Sequence, residues 1–378
     1  MTKSKLLYFV SEDKYFLTHK LSHGLAALKN GFDVLVICNI SVYKKKLETY
    51  GFKVLNFPFN RKSINPIKEI IYAFKFLRIL NKVKPDIVQC IALKPILYFI
   101  ICEFFYKFSV QKIFAIVGLG YIFINKNFKT KFLKFVLLNM IAFSLKKKNS
   151  IVVFQNIDDM NYFLQRRIVE KDKVLIIPGS GVNTSYFKPR NVAKKYDLIL
   201  HSRMLIDKGV VDIITALQIL QKKEIFLKTL FLGNPDYNNL ASIKTNELKL
   251  WNKQKLIVWI PEKKKILKYI LQSRISILPS LREGFPKSLL EAASCGLPLI
   301  STDVPGCREI CINNYNGLLV KKNNPQDLSI AIERLIKNKN KLKTFGYNSR
   351  KLVVENFSDK IISKQFLSLY NTRAKKVL

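Results

Sequence analysis

Two glutamates, Glu283 and Glu291, stand on either side of the turn Gly284-Phe285-Pro286-Lys287. Carboxylates in such a pair could act as acid and base, or as acceptors for pairs of hydroxyls. A glycosidase places its two carboxyls across one sugar ring, which a spacing of eight residues over a loop and a helix does not readily supply. A carboxylate that accepts from a vicinal diol, as ribose is held in dinucleotide folds, suits the pattern better. Upstream, His201-Ser202-Arg203-Met204-Leu205-Ile206-Asp207-Lys208-Gly209 offers a guanidinium fork and an ammonium. Beside a helix start these cations suit a diphosphate, and Ser202 is small enough for a ligand to approach the backbone. Each feature also has a plain reading. The cations can be two solvated surface groups among 65, Glu291 an exposed helix residue, and Gly284, Gly296, Gly306 and Gly317 ordinary turn glycines.

The elements that must position these residues are legible from periodicity. Ile275–Leu278 is a short apolar run closed by Pro279, the mark of a buried strand end. Lys287–Cys295 has helical spacing and stops at Gly296. Strand, Gly-containing loop and helix leave free N–H groups at the helix start. Asp197–His201 and Lys208–Gln221 read as a second strand and helix. The first half alternates likewise: strands at Leu6–Val10, Asp33–Cys38, Lys53–Phe57, Ile87–Cys90, Lys112–Val117 and Ile151–Phe154, helices at Phe16–Lys29, Pro66–Val83, Pro95–Lys107 and Phe128–Lys148. This order predicts parallel sheets covered on both faces. A cluster of Gly, Ser, Asn and Pro at Ile176–Asn183 interrupts it and reads as an interdomain linker.

A chain of 378 residues implies two cores. A hydrophobic share of 49% excludes a disordered chain. With 65 Lys and Arg against 26 Asp and Glu, the net charge of +39 attracts polyanions, nucleic acid or an anionic bilayer, although Lys-rich usage from codon bias can account for part of it. The start reads as a strand and not a secretory leader. No stretch reaches the ~20 apolar residues of a spanning helix. Six Cys without a CxxC pair and three His argue against metal or disulfide frameworks and for reduced thiols.

Taken as a set, Arg203, Lys208-Gly209, Pro279-Ser280-x-x-Glu283-Gly284-Phe285-Pro286 through Glu291-Ala292, Pro298-x-Ile300, Gly306, Glu309 and Asn316-Gly317 resemble glycosyltransferase family 4, group 1. The family's E-x7-E element matches Glu283 and Glu291. Phe154-Gln155-Asn156-x-Asp158-Asp159, Val117–Phe123 and Glu12-Asp13-x-x-Phe16-Leu17-x-His19-Lys20 are similar to a bacterial subgroup that assembles O-antigen, capsule and other glycans.

The resemblance implies an α/β chain of the GT-B fold: two Rossmann-like doubly wound domains with an interdomain cleft. Residues 1–178 would bind the acceptor and 179–357 the nucleotide-sugar, with 358–378 a C-terminal helix packing back on the first domain. The implied activity is a retaining glycosyltransferase, with a UDP-sugar the preferred donor and a polyprenyl-diphosphate-linked saccharide the acceptor, in surface polysaccharide synthesis. Arg203 and Lys208 would neutralise the donor diphosphate, so that no cofactor and no metal are expected. Glu291 would take the ribose hydroxyls. Glu283 would orient the donor sugar together with the backbone of Gly284, Phe285 and Lys287, Pro286 lacking an N–H. Many relatives carry a His near the sugar in the first domain, and Gln89–Lys94 and Ala115–Gly120 contain none. His19 on the first helix, Lys94, and Arg61 next to Lys62 are the acceptor-side candidates.

Lys126–Lys148, basic at both ends and apolar between, could join the aromatic end of Pro95–Lys107 in a face that lies on a bilayer. The expected location is then cytoplasmic, on the inner face of the cytoplasmic membrane. The competing readings are a core-facing role for both segments, a glycosyltransferase with a soluble acceptor, a non-catalytic scaffold of the same fold, and a basic nucleic-acid-binding protein. The last lacks any recognisable nucleic-acid motif.

Overall fold

The computed structural model describes residues 3–60, 65–105, 110–118, 128–146, 149–237, 239–261 and 265–375. They form two compact units: 1–180 together with Asp359–Leu378, and Gly181–Ser358. The helix Asp359–Ala374 is thus part of the first unit.

The first unit is built on seven parallel strands: β1 (Lys5–Glu12), β2 (Asp33–Asn39), β3 (Lys53–Asn56), β4 (Ile87–Ile91), β5 (Gln111–Ile116), β6 (Ser150–Phe154) and β7 (Val174–Ile176), in the order β3-β2-β1-β4-β5-β6-β7. Strands covered on both faces are near-continuously apolar, and β1 shows why. Leu7 and Phe9 enter the core beneath the helices Pro66–Val83, Leu93–Phe105 and Phe128–Lys146, while Leu6, Tyr8 and Val10 pack on the opposite face with Phe366 and Tyr370 of the last helix. That last helix is also tied by polar bonds, Tyr370 OH donating to Gln89 Oε1 at 2.6 Å and meeting Tyr8 OH at 2.7 Å.

The second unit has six parallel strands: β8 (Tyr196–His201), β9 (Thr229–Leu232), β10 (Val258–Ile260), β11 (Ser273–Leu278), β12 (Leu299–Thr302) and β13 (Gly317–Val320). Their order is β10-β9-β8-β11-β12-β13. This is a doubly wound sheet whose order reverses between β8 and β11, so the crevice for a ligand lies at the carboxyl ends of those two strands. Asn side chains start several helices in both units. Asn65 accepts from the Ile67 and Lys68 N–H groups ahead of Pro66, and Asn324 accepts from Asp327 N–H ahead of Pro325.

Four segments differ from the sequence-based expectation. Phe16–Lys29 is not one helix but two, Asp13–His19 and Leu21–Lys29, broken where Lys20 leaves helical geometry and buries its ammonium 5.0 Å above the Phe366 ring. The basic run at Lys44 opens a short helix, Lys44–Thr49. The first residue of the expected linker, Ile176, instead closes the edge strand β7, paired to β6 through Val174, Leu175 and Ile176. Asn239–Trp251 also reads as a helix from the sequence, but the helix starts only at Thr245, because the preceding residues brace the loop after β8.

Candidate active site

Three loops meet at the carboxyl edge of the second sheet. The β8 loop runs from Ser202 through a single 3-10 turn, Ile206–Lys208, to the helix Val210–Gln221. The β11 loop, Pro279–Pro286, leads into the helix Lys287–Ser294. Asp207 O accepts from Leu281 N–H at 2.9 Å, so the first two loops share a backbone bond. Gly209 sits at φ +72°, where a Cβ would lie 2.2 Å from Pro279 O; only glycine lets these loops approach. The third loop, after β12, does the same from the other side. Glu283 N–H donates to Pro305 O, and a Cβ on Gly306 would fall 2.5 Å from Gly284 O. Gly209 and Gly306 are thus two close-approach glycines of the site.

This frame brings Lys208 and Glu283 together. Lys208 Nζ donates to Glu283 Oε1, which also accepts from Ser280 Oγ at 2.7 Å. Both side chains are mostly withdrawn from water, 19% and 11% exposed. Ser280 is held in turn, its carbonyl accepting from Thr302 Oγ1. Lys208 and Glu283, read separately from the sequence, form one charge-paired unit in the structure. An ammonium has three donors, so Lys208 can serve a phosphate oxygen without leaving Glu283.

Arg203 lies apart from that pair. Its guanidinium is 58% exposed and bonds Asp236 Oδ2 at 2.7 Å. Asp236 belongs to the loop after β9, which braces the β8 loop: Met204 N–H donates to Asn234 O, Ile206 N–H to Ala241 O, and Ile243 N–H to Met204 O. Asp236 had no signal in the sequence, since nothing in the spacing ties residue 236 to residue 203. Ser202 is fixed by a bond from its N–H to Leu232 O, and Gly233 packs against its carbonyl. Its hydroxyl turns back to Arg203 O at 3.0 Å.

Glu291 sits within the helix Lys287–Ser294, 13% exposed at the side chain, and makes no hydrogen bond among the described residues. Its polar neighbour is His201, the last residue of β8, with Nε2 3.4 Å from Glu291 Oε2. The ring of Phe285 is buried against Phe357, and Pro286, also buried, precedes the first helical residue, Lys287. Burial, with the Glu291 charge behind it, pushes the Cys295 thiol up to about 12, so this cysteine stays protonated at neutral pH.

The acceptor-side candidates fare differently. Lys94 is bound to Glu69 Oε1 at 2.8 Å and to Asn60 O at 2.7 Å, while Tyr98 OH holds the other Glu69 oxygen. It is thus paired within the first unit. His19 stacks on Tyr15 at 4.6 Å and meets Thr18 Oγ1 through Nδ1. Arg61 and Lys62 lie outside the described residues. At the carboxyl end of β1 the buried group is Asp13, which accepts from Ser41 N–H, Ser41 Oγ and Tyr43 N–H and so pins the loop after β2. Sequence reasoning quoted Asp13 without giving it a task.

Comparison with known proteins agrees with this geometry. The model for glycosyl transferases group 1 matches residues 182–352, and that for glycosyl transferase 4-like proteins matches 5–156. One curated relative is the N,N'-diacetylbacillosaminyl-diphospho-undecaprenol alpha-1,3-N-acetylgalactosaminyltransferase of Campylobacter jejuni, 27% identical, covering 93% of this chain and 95% of its own. Another is the UDP-Gal:alpha-D-GlcNAc-diphosphoundecaprenol alpha-1,3-galactosyltransferase of Escherichia coli, 23% identical over 86% of both. HepE of Anabaena, solved with UDP and glucose, superposes with a TM-score of 0.77 at 16% identity, covering 97% of this chain and 99% of its own. Two doubly wound parallel sheets, matched in turn by the two halves of one enzyme class, make this chain a GT-B glycosyltransferase that belongs to family 4, group 1.

Proposed function

We propose that this glycosyltransferase moves a sugar from a UDP-sugar to a polyprenyl-diphosphate-linked saccharide with retention of the anomeric configuration. The observation that carries the reading is the placement of Arg203, Lys208–Glu283 and Glu291 around the β8–β11 switch point, where a doubly wound sheet binds nucleotides. The names of the Campylobacter and Escherichia relatives, both acting on undecaprenyl-diphosphate sugars, and the UDP in HepE support the choice of donor and acceptor.

In this reading Glu291 accepts from the ribose hydroxyls. The diphosphate lies between Lys208 and Arg203, which take the place of a metal ion. As the bond from C1 to the diphosphate oxygen breaks, negative charge grows on that oxygen, and Lys208, already oriented by Glu283, meets it without reorganising. The acceptor hydroxyl forms the new C1–O bond on the same face and passes its proton to the departing diphosphate. Glu283, with the turn through Gly284, Phe285 and Lys287, orients the donor sugar. Asp236 keeps the Arg203 fork on the β8 loop until phosphate competes for it.

The membrane reading keeps to the two segments named from the sequence and adds Phe74. No described helix is long and apolar enough to cross a membrane. On the first unit Phe104 stacks on Phe143 at 5.2 Å and Phe105 meets Phe74, tilted, at 4.8 Å, all four residues exposed. An exposed aromatic cluster on a chain of net charge +39 suits the headgroup zone of an anionic bilayer. Lys134, one of the cations expected to meet lipid, instead lies 4.8 Å over the Tyr162 ring. These features support peripheral attachment to the inner face of the cytoplasmic membrane as part of the proposal.

The test is donor turnover in Arg203→Ala, Lys208→Ala and Glu291→Ala, across a panel of UDP-, GDP- and dTDP-sugars, with lipid-linked and with soluble acceptors. Loss of turnover in all three folded proteins is expected, with UDP-sugars and the lipid-linked acceptor preferred. Near-normal rates in all three would overturn the assignment, and a preference for soluble acceptors would overturn the lipid-linked one.

A further inference from the structure

We infer that His201 is a positioning residue for Glu291, and that this pair makes the site select ribonucleotide donors over their 2′-deoxy counterparts. The inference rests on the reading of Glu291 as the ribose acceptor. His201 closes β8, paired in register with Leu232 of β9, and its side chain is 6% exposed. Both of its ring nitrogens are buried without a hydrogen-bond partner among the described residues. An imidazole so placed is costly unless something uses it, and the nearest charged group is the Glu291 carboxylate, 3.4 Å from Nε2.

The chemistry of the pair follows from counting donors and acceptors. A carboxylate has about four acceptor sites. An N–H from His201 Nε2 at Oε2 takes one and stops the carboxylate from turning about its last torsion. Oε1 and the remaining site on Oε2 then point to fixed places, as a vicinal diol requires. Without His201, Glu291 sits on a helix with no hydrogen bond to hold its rotamer among the described residues. Removing one ribose hydroxyl would leave a withdrawn carboxylate site unpaired, and sites built around a substrate hydroxyl reject analogues that lack it strongly. The ribose is remote from the reacting carbon, so the pair acts mainly on donor binding.

The experiment is calorimetric titration of the full-length protein with UDP and with 2′-deoxy-UDP. Wild type is expected to bind UDP at least ten-fold more tightly. In His201→Ala the affinity for UDP should fall about ten-fold while that for 2′-deoxy-UDP changes less than three-fold. His201→Gln, which returns an N–H near the Nε2 position, should regain most of the difference. In turnover, His201→Ala should raise the donor KM with kcat within about three-fold. Equal losses for both nucleotides in His201→Ala and His201→Gln would show a structural role only and overturn the inference. So would a wild type that does not discriminate, a result obtained even if both variants fail to fold. Glu291→Gln separates the two layers. If it retains full discrimination, the ribose reading of Glu291 itself falls; if it loses discrimination while His201→Ala keeps it, only the role of His201 does.

Discussion

Lys208 and Glu283 can be tested as a pair, because stability and catalysis should respond differently to the same substitutions. Lys208→Met keeps the length of the side chain and removes its charge, leaving Glu283 with Ser280 Oγ as its side-chain donor among the described residues, in a site where it is 11% exposed. Breaking a fully buried pair costs about 3–5 kcal/mol and a surface pair about 0–1. With side chains 19% and 11% exposed the loss should be about 2 kcal/mol. In urea that is a fall in midpoint of roughly 1 M for a slope of about 2 kcal/mol/M. Glu283→Gln should cost less, because Ser280 can still donate to the amide oxygen. The double substitution Lys208→Met/Glu283→Gln leaves no uncompensated charge, and its midpoint should return most of the way to wild type. Turnover should not return. The transition state has lost an oriented ammonium, and removal of one such group costs about 10²–10³ in rate. Urea melts followed by tryptophan fluorescence, with nucleotide release as the activity assay, read both quantities on the same preparations. A double variant that recovered activity along with stability would show that the pair is only a structural bridge. A Lys208→Met protein as stable as wild type would show that the two groups do not hold each other.

Two further outcomes follow from the first unit. Burial alone would raise the Asp13 carboxyl, but hydrogen bonds from Ser41, Tyr43 and Lys14 outweigh it and hold it below the ordinary Asp value. A depressed folded-state value means that its stabilisation is fully present above about pH 4 and is lost as pH falls through the folded value; Asp13→Asn should lower stability by about 1–3 kcal/mol at pH 7 and flatten the acid limb below pH 4 in urea melts, and an unchanged limb would refute the role. For the membrane face, Phe104→Ser/Phe105→Ser/Phe143→Ser should reduce cosedimentation with anionic phospholipid vesicles at least ten-fold while leaving UDP affinity within two-fold, and undiminished binding would remove these rings from the interface.

The alternation of buried apolar runs with helical spacing was enough to read both parallel sheets, because strands covered on both faces carry continuous Val, Ile, Leu and Phe. What the one-dimensional pattern could not carry were facts of side-chain pairing. Lys20 reads as a polar position within one amphipathic helix, yet its burial above Phe366 depends on a helix more than three hundred residues away in sequence. β7 has only three residues, too few to show a period. The candidate site divides in the same manner. Glu283, Glu291, Arg203 and Lys208 were legible as types after strand ends, whereas Asp236 was not, and Ser280 and His201, present in the motifs, gained their partners only when the loops were brought together. His201 carried a faint signal: a titratable ring as the last residue of a central strand lies at the mouth of the crevice by position alone.

The charges at the β8–β11 edge are arranged as pairs rather than as a cationic pocket. Lys208 has Glu283, Arg203 has Asp236, and Glu291 has His201 beside it. Clustered ammonium and guanidinium groups repel one another in the absence of a ligand, and in a chain of net charge +39 the cost is not offset by distant carboxylates, because screening limits their reach to about 8–10 Å. Local carboxylates solve that problem while keeping the cations oriented. They also set an order of commitment. The Arg203–Asp236 pair is exposed, so it contributes little to stability and opens at small cost. The Lys208–Glu283 pair is withdrawn from water and stays closed, presenting its remaining donors in fixed directions. On the proposed reading, an entering diphosphate would recruit the exposed fork on one side and meet the withdrawn ammonium on the other, which would place the better-held group where the larger electrostatic demand of bond breaking falls.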